Sequence, residues 1–268
     1  MNKSDAQKII QSVASVNLPK NTRQYKWSYI DGGLGENALG YSVDHQPIDG
    51  KVVYTDGEVV VLKQGAKAIF TAVSHAILPE SVAFSVDDKV RITPYARRRF
   101  DGTFLYEPVK SADGRSLIFT IGKSVSHFPV DKDTIASPYL LDMIELLENG
   151  KTSSYRTIAQ VLIDAGASLE PLQINDPQDP EDVIKSPPAI TFRIQCAKLS
   201  GYLRVFYDRS MDYYGINVMD TCGTIVDTIS DIDFTSMAEV IQDLVDDGTW
   251  CQAKVEFITR ARPKNKTA

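Results

Sequence analysis

No stretch of this 268-residue chain approaches the ~20 consecutive apolar residues that cross a bilayer, so the sequence reads as that of a protein without a membrane span. Histidine and cysteine are scarce, with three of each. His45, His75 and His127 stand far apart, with no HExxH pair and no neighbouring cysteine, so they offer no metal-ligand spacing. Cys196, Cys222 and Cys251 have no CxxC spacing, and an odd number cannot pair fully within one chain. They read as buried reduced thiols of a cytoplasmic protein. The hydrolase elbow GxSxG, the zinc-deaminase signature and the kinase motifs are also missing. The first ten residues, MNKSDAQKII, lack the apolar core of a secretion signal; Ser4 followed by Gln7 reads instead as a helix cap. The sequence therefore assigns no catalytic residue, no metal and no cofactor.

Two near-motifs fail on context. GLGENA at 33–38 satisfies GxGxxA, but a dinucleotide site needs a helix after it to receive the pyrophosphate, and LGYSVDHQPIDG follows. It reads as a glycine-rich loop. GKTS at 150–153 has the end of a phosphate-binding loop, but Glu145 occupies the place of its first glycine and a helical pattern precedes it. A helix stop followed by a helix cap explains each residue there.

What is present is an ordinary globular composition, 43% hydrophobic and 24% charged, enough for a real core. Charge is uneven. Residues 1–130 carry 16 basic and 13 acidic side chains, 131–185 carry 4 and 11, and 186–268 carry 9 and 11. An acidic whole does not attract a polyanion at long range, so nucleic-acid binding would have to be local.

Along the chain, Ile9, Val13 and Val16 predict one face of a helix within residues 4–16, inside an N-terminal segment of helix and glycine-rich loop over 1–44. Short β-type runs follow, KVVYT, EVVVLKQG, KAIFTAV, DDKVRITPY and RSLIFTIG, with Asp56-Gly57 as a hairpin signal. They predict a small SH3-like β-barrel over 45–130. Residues 131–169 predict a helical hairpin: Ser137-Pro138 starts one helix with Leu140, Leu141, Ile144 and Leu147 inward, and Ser153 or Ser154 opens the next. The proline-rich acidic stretch 170–189 reads as a linker. Residues 190–268 predict an antiparallel sheet with one packed helix, capped by Asp233, and a last strand at WCQAKVEFITR. The fold class is α+β.

Residues 50–102 resemble the KfrB-type domain, a small β module of plasmid and mobile-element proteins. The matching positions are Gly50, Val52, Val53, Asp56, Gly57, Val60, Gln64, His75, Leu78, Val90, Ile92 and Tyr95. Asp88 stands where the family pattern has a glycine, and ARRR is inserted where it has a short turn. The resemblance implies an origin on a plasmid, phage or integrative element and a binding module, with no catalytic residues.

The strongest chemical signal is RITPYARRRFDGTFLY at 91–106, basic residues interleaved with aromatics. Aromatics stack on bases while arginines hold phosphates. The expected nucleic-acid site is Arg97, Arg98, Arg99, Tyr95 and Phe100, with Trp27, Lys26 and Arg23 from RQYKWSY. The bland alternative puts these aromatics in a core and the charges in water. Asp246 and Asp247 end a helix, where negative charge opposes the dipole, and are candidates for a basic partner or for solubility alone. The leading expectation is a non-enzymatic accessory protein that binds nucleic acid or a nucleoprotein complex. The alternatives are a protein-interaction inhibitor of a host defence or recombination enzyme acting through its acidic surface, and an enzyme with dispersed catalytic residues. Sequence leaves the oligomeric state open.

Overall fold

The computed structural model describes residues 1–20, 22–37, 39–110, 116–117, 125–178 and 182–261. In chain order the elements begin with α1 (Lys3–Asn17), β1 (Lys26–Ile30), β2 (Gly35–Glu36), β3 (Ser42–Val43), β4 (Ile48–Thr55), β5 (Val59–Lys63), β6 (Ile69–Ser74) and β7 (Lys89–Thr93). Next come β8 (Val109–Lys110), β9 (Ser116–Leu117), α2 (Pro138–Asn149), α3 (Ile158–Asp164), β10 (Gln173–Asn175) and α4 (Asp182–Lys185). The chain then forms β11 (Ala189–Gln195), β12 (Ser200–Asp208), β13 (Tyr213–Met219), β14 (Ile225–Ile232), α5 (Met237–Val245) and β15 (Lys254–Thr259). The architecture is α+β in two compact units: residues 1–96 with the C-terminal segment from Cys251, and residues 97–250. Of the RSLIFTIG strand only Ser116 and Leu117 fall within the described residues.

In the first unit, Asn2 and not Ser4 caps α1, its side chain accepting from the Asp5 N–H at 2.9 Å. The inward face is Ala6, Ile10, Val13 and Ala14 with Ile9 packed at its side, so Ile9 and Val13 of the expected stripe face the sheet while Val16 is 81% exposed. That stripe packs on Val59, Val61, Phe70 and Ala72. The opposite face of the same sheet buries Ile30, Ile48, Val52, Val60, Leu62, Val73, Val90 and Ile92. Most apolar positions of the KfrB resemblance lie in this second layer. Gly50 is required by close approach, since a Cβ there would sit 2.9 Å from the Leu62 Cβ.

The sheet is open, and the expected barrel does not close. Its order is β1-β6-β5-β4-β7-β15, with β1 and β15 as its two edges among the described residues. β4 is long enough to serve two neighbours, Ile48–Lys51 facing β7 and Lys51–Thr55 facing β5. The Asp56-Gly57 hairpin forms as expected, with Asp56 Oδ1 accepting from the Glu58 and Val59 N–H groups. The strand expected to finish the C-terminal region, β15, pairs instead with β7, Val255 opposite Ile92 and Phe257 opposite Val90. Its inward Val255 and Phe257 complete the N-terminal core, which local periodicity has no means of revealing. Of the GLGENA glycines, Gly35 lies on β2 of the small β2–β3 hairpin and leaves room for the His45 ring, 3.1 Å from where a Cβ would be.

In the second unit, five antiparallel strands run in the order β10-β11-β12-β13-β14. The four runs read as strands from the sequence are β11 to β14, and β10 adds a fifth. β10 lies inside the stretch expected to be a linker: Gln173 to Asn175 pair with Thr191 to Ala189. One face of the sheet, with Ile190, Phe192, Ile194, Leu203, Val205, Ile216 and Val218, is covered by α2, α3 and α5. The helical pair is thus one cover of this core. α2 begins at Pro138 as the sequence predicts, although the Ser137 side chain makes no cap bond and Asp176 accepts from the Ala136 and Ser137 N–H groups instead. α3 begins later than expected. Tyr155 is left-handed (φ 57°), and Thr157 caps the helix by accepting from the Gln160 N–H. In α5, Ile241 is fully buried; the helix starts only at Met237 with Ser236 as its N-cap, so the expected cap Asp233 lies before it, and Phe234, in the preceding turn, is 69% exposed. Glu148 on α2 is also fully buried, and accepts from His127 Nδ1 (2.8 Å), Lys132 Nζ (2.7 Å) and the Phe128 N–H (2.8 Å).

Candidate nucleic-acid interface

The structure divides the expected site between the two units. Arg23, Lys26, Trp27 and Tyr95 belong to the first, and Arg97, Arg98, Arg99 and Phe100 to the second. Arg23 and Lys26 are exposed, but Trp27 is half-buried and packs on the α1 side of the sheet core. Phe100 is buried in the core of the second unit, edge-on to Phe128 with centroids 5.9 Å apart. No stacking face remains on it. Arg99 acts as an internal strut: its guanidinium donates to the carbonyls of Phe104 (2.7 Å), Leu105 (3.1 Å) and Glu107 (2.7 Å) and to Thr103 Oγ1. Arg98 donates to the Gly102 carbonyl and lies 4.3 Å from the Phe104 ring centroid. Both guanidinia shape the loop of residues 99–107, where unsatisfied carbonyls would otherwise need water. The basic run is largely a loop-building device.

Asp246 and Asp247 are likewise structural. Asp246 pairs with Arg156, whose guanidinium is 1% exposed and also pairs with Asp164 at 2.8 Å. The same guanidinium receives the Trp250 ring at 3.8 Å and donates from Nε to Ser154. Asp247 accepts from the Thr249 N–H, the Thr249 hydroxyl and the Ala197 N–H, and these bonds hold its carboxyl below the usual aspartate range. Both carboxylates are committed within the fold, so their unfavourable place at a helix C-terminus is offset by contacts remote in sequence.

The open face of the five-stranded sheet carries a different constellation. Alternation puts Tyr202, Arg204 and Phe206 of β12 on this face, since Leu203 and Val205 point into the core. The register places Arg204 between Thr191 of β11 and Asn217 of β13, and places Arg193 beside Tyr202. Phe206 stands opposite Gly215, and its ring lies over that glycine: a Cβ on Gly215 would run into the ring edge. The ring therefore packs on that glycine, and Phe206 stays only partly buried.

Arg204 is the unusual member. It is half-buried, and burial lowers its pKa from the ordinary guanidinium value. Among the described residues it has no hydrogen-bond acceptor and no carboxylate partner, only the Phe206 ring at 5.5 Å. Arg193, by contrast, sits 3.5 Å from Glu170 and donates to the Gly201 carbonyl. A concavity of about 480 Å³ opens over Arg204, lined also by Gln173, Thr191, Tyr202, Met219 and the turn at Cys222. Such a surface presents one unspent bidentate donor, two aromatic rings and amide and hydroxyl groups. The sequence signal was available in GYLRVFYD, where Tyr, Arg and Phe recur with period two, but it is diluted by the louder arginine triplet.

The chain matches no protein-family model, no curated protein and no solved structure. Among the described residues no group of three His, Cys, Asp or Glu gathers as a metal site, and no helix is long and apolar enough to cross a membrane.

Proposed function

We propose that the open face of the five-stranded sheet binds single-stranded nucleic acid, with Arg204 on a phosphate and Phe206 and Tyr202 as stacking faces. The observation that carries this reading is Arg204: a half-buried guanidinium without an acceptor among the described residues, on the central strand of an otherwise polar and aromatic face. A desolvated cation without a partner costs stability, and a phosphate oxygen supplies the missing acceptors. A flat aromatic ring accepts any base, so the reading is sequence-tolerant binding. This keeps the nucleic-acid expectation and moves it from the arginine triplet to β12.

The test is fluorescence anisotropy of a labelled oligothymidine titrated with the full chain across a salt series. Arg204→Gln is expected to weaken binding about tenfold or more, as befits a charged hydrogen bond, and to flatten the salt slope by about 0.7. Phe206→Ala is expected to lose about 1–3 kcal/mol of stacking with little change in slope. Binding by Arg204→Gln with wild-type affinity and slope, or no wild-type binding at low salt, refutes the proposal.

A further inference from the structure

The six-stranded sheet carries a charge arrangement that the proposed function leaves unused. Lys51 on β4 faces Lys63 on β5 in one register and Lys89 on β7 in the other. Three lysines therefore stand directly opposite one another across three adjacent strands. With strands ~4.8 Å apart, the row is about 10 Å long. Like charges placed directly opposite are destabilising, so the row opposes the pairing it sits on. Relief from carboxylates is partial. Asp87 reaches Lys51 at 2.8 Å, and nearby Asp49 is held bidentately by Arg91 at 2.6 and 2.7 Å. Lys63 and Lys89 have no ion pair among the described residues. The three stems, with Asp49, Gly50, Gly65 and Ile258, line a concavity of about 470 Å³, where the Asp49 carboxylate is already neutralised by Arg91.

We propose that this row is a second phosphate site, holding the phosphodiester backbone of double-stranded nucleic acid. A line of point charges on long stems suits a line of phosphates, and among the described residues no aromatic ring lines the concavity to read or stack a base. An anionic membrane is the poorer match, because Ile258 is the one apolar side chain lining the concavity and interfacial binding needs a larger apolar contribution. The inference rests on the reading of this protein as a nucleic-acid binder, but it uses different residues on a different unit and therefore a different probe.

A short blunt-ended duplex has no unpaired base, so its binding to the full chain reads the lysine row. The triple variant Lys51→Gln/Lys63→Gln/Lys89→Gln is expected to bind the duplex at least tenfold more weakly, with a salt slope flatter by about 2–3. Its melting temperature is expected to equal or exceed that of the wild type, because opposed charges have been removed. Unchanged duplex affinity and slope overturn the inference, as does wild-type binding to phosphatidylserine vesicles but not to duplex. The two proposals fail separately. Arg204-dependent oligothymidine binding without any duplex binding removes the lysine row alone. Lysine-dependent duplex binding without oligothymidine binding leaves the row standing and removes the sheet face.

Discussion

The buried Arg156 cluster gives the sharpest test of how the second unit is held together. Asp246→Asn keeps the shape of the side chain and can still accept the Gly248 N–H, but removes one of the two charges facing a guanidinium that is 1% exposed. Removing one partner of a buried pair costs about 3–5 kcal/mol. Asp164 stays in place at 2.8 Å, so the guanidinium keeps one counter-charge and the expected loss is smaller, about 2–3 kcal/mol. Arg156→Met is expected to cost more, because it leaves Asp164 and Asp246 facing one another without a cation. The double variant is expected to cost less than the sum of the two singles, since they share one interaction. The chain has two tryptophans, and Trp250 lies under the guanidinium, so a Trp27→Phe background makes fluorescence a reporter of this cluster. In urea the Asp246→Asn midpoint is expected to fall by about 1–1.5 M with unchanged slope. An unchanged or raised midpoint refutes the buried cluster and returns Asp246 to the solvated helix end that the sequence describes.

Two further outcomes follow from burial and charge. Glu148 has its carboxyl held below the usual glutamate range: burial opposes ionisation, but the Lys132, His127 and Phe128 donors outweigh it. Its contribution is therefore complete above the unfolded value of about 4.3 and is lost as pH falls through the lower folded value, so the stability gap between wild type and Glu148→Gln, read from urea midpoints, is expected to be constant near pH 7 and to shrink below about pH 4. In α5, Ile241→Ala is expected to cost about 2–5 kcal/mol in the same measurement, whereas Phe234→Ala, in the exposed turn before the helix, stays within about 0.5 kcal/mol; equal losses refute the assigned burial.

Sequence reading located most elements because their signals are local. The Asp56-Gly57 hairpin, the Ser137-Pro138 helix start and the four runs from 189 to 232 each carry their own turn or period. It misplaced what depends on partners far along the chain. Nothing near Val255 and Phe257 says that their core lies beside β7, and nothing near Asp246 says that Arg156, 90 residues earlier, awaits it. The arginine triplet misled for a related reason: side-chain type shows that a guanidinium is present, and only the fold shows that Arg99 is spent on three carbonyls of its own loop. Trp27 and Phe100 are apolar first, and each found a core. Arg204, Tyr202 and Phe206 were legible as a period-two face, yet whether that face is covered is a property of topology.

The pairing of β15 with β7 sets an order on synthesis. At ribosomal rates of roughly 5–20 residues per second, the edge of β7 waits on the order of ten seconds or more for its last neighbour to emerge. Over that interval residues 97–250 emerge in order, while the sheet that precedes them still lacks the strand that covers the β7 edge beside Val90 and Ile92. Both units are therefore completed only near the end of synthesis, the second by α5 and the first, a few residues later, by β15. A nascent chain stalled before residue 254 is expected to present an open strand edge to chaperones.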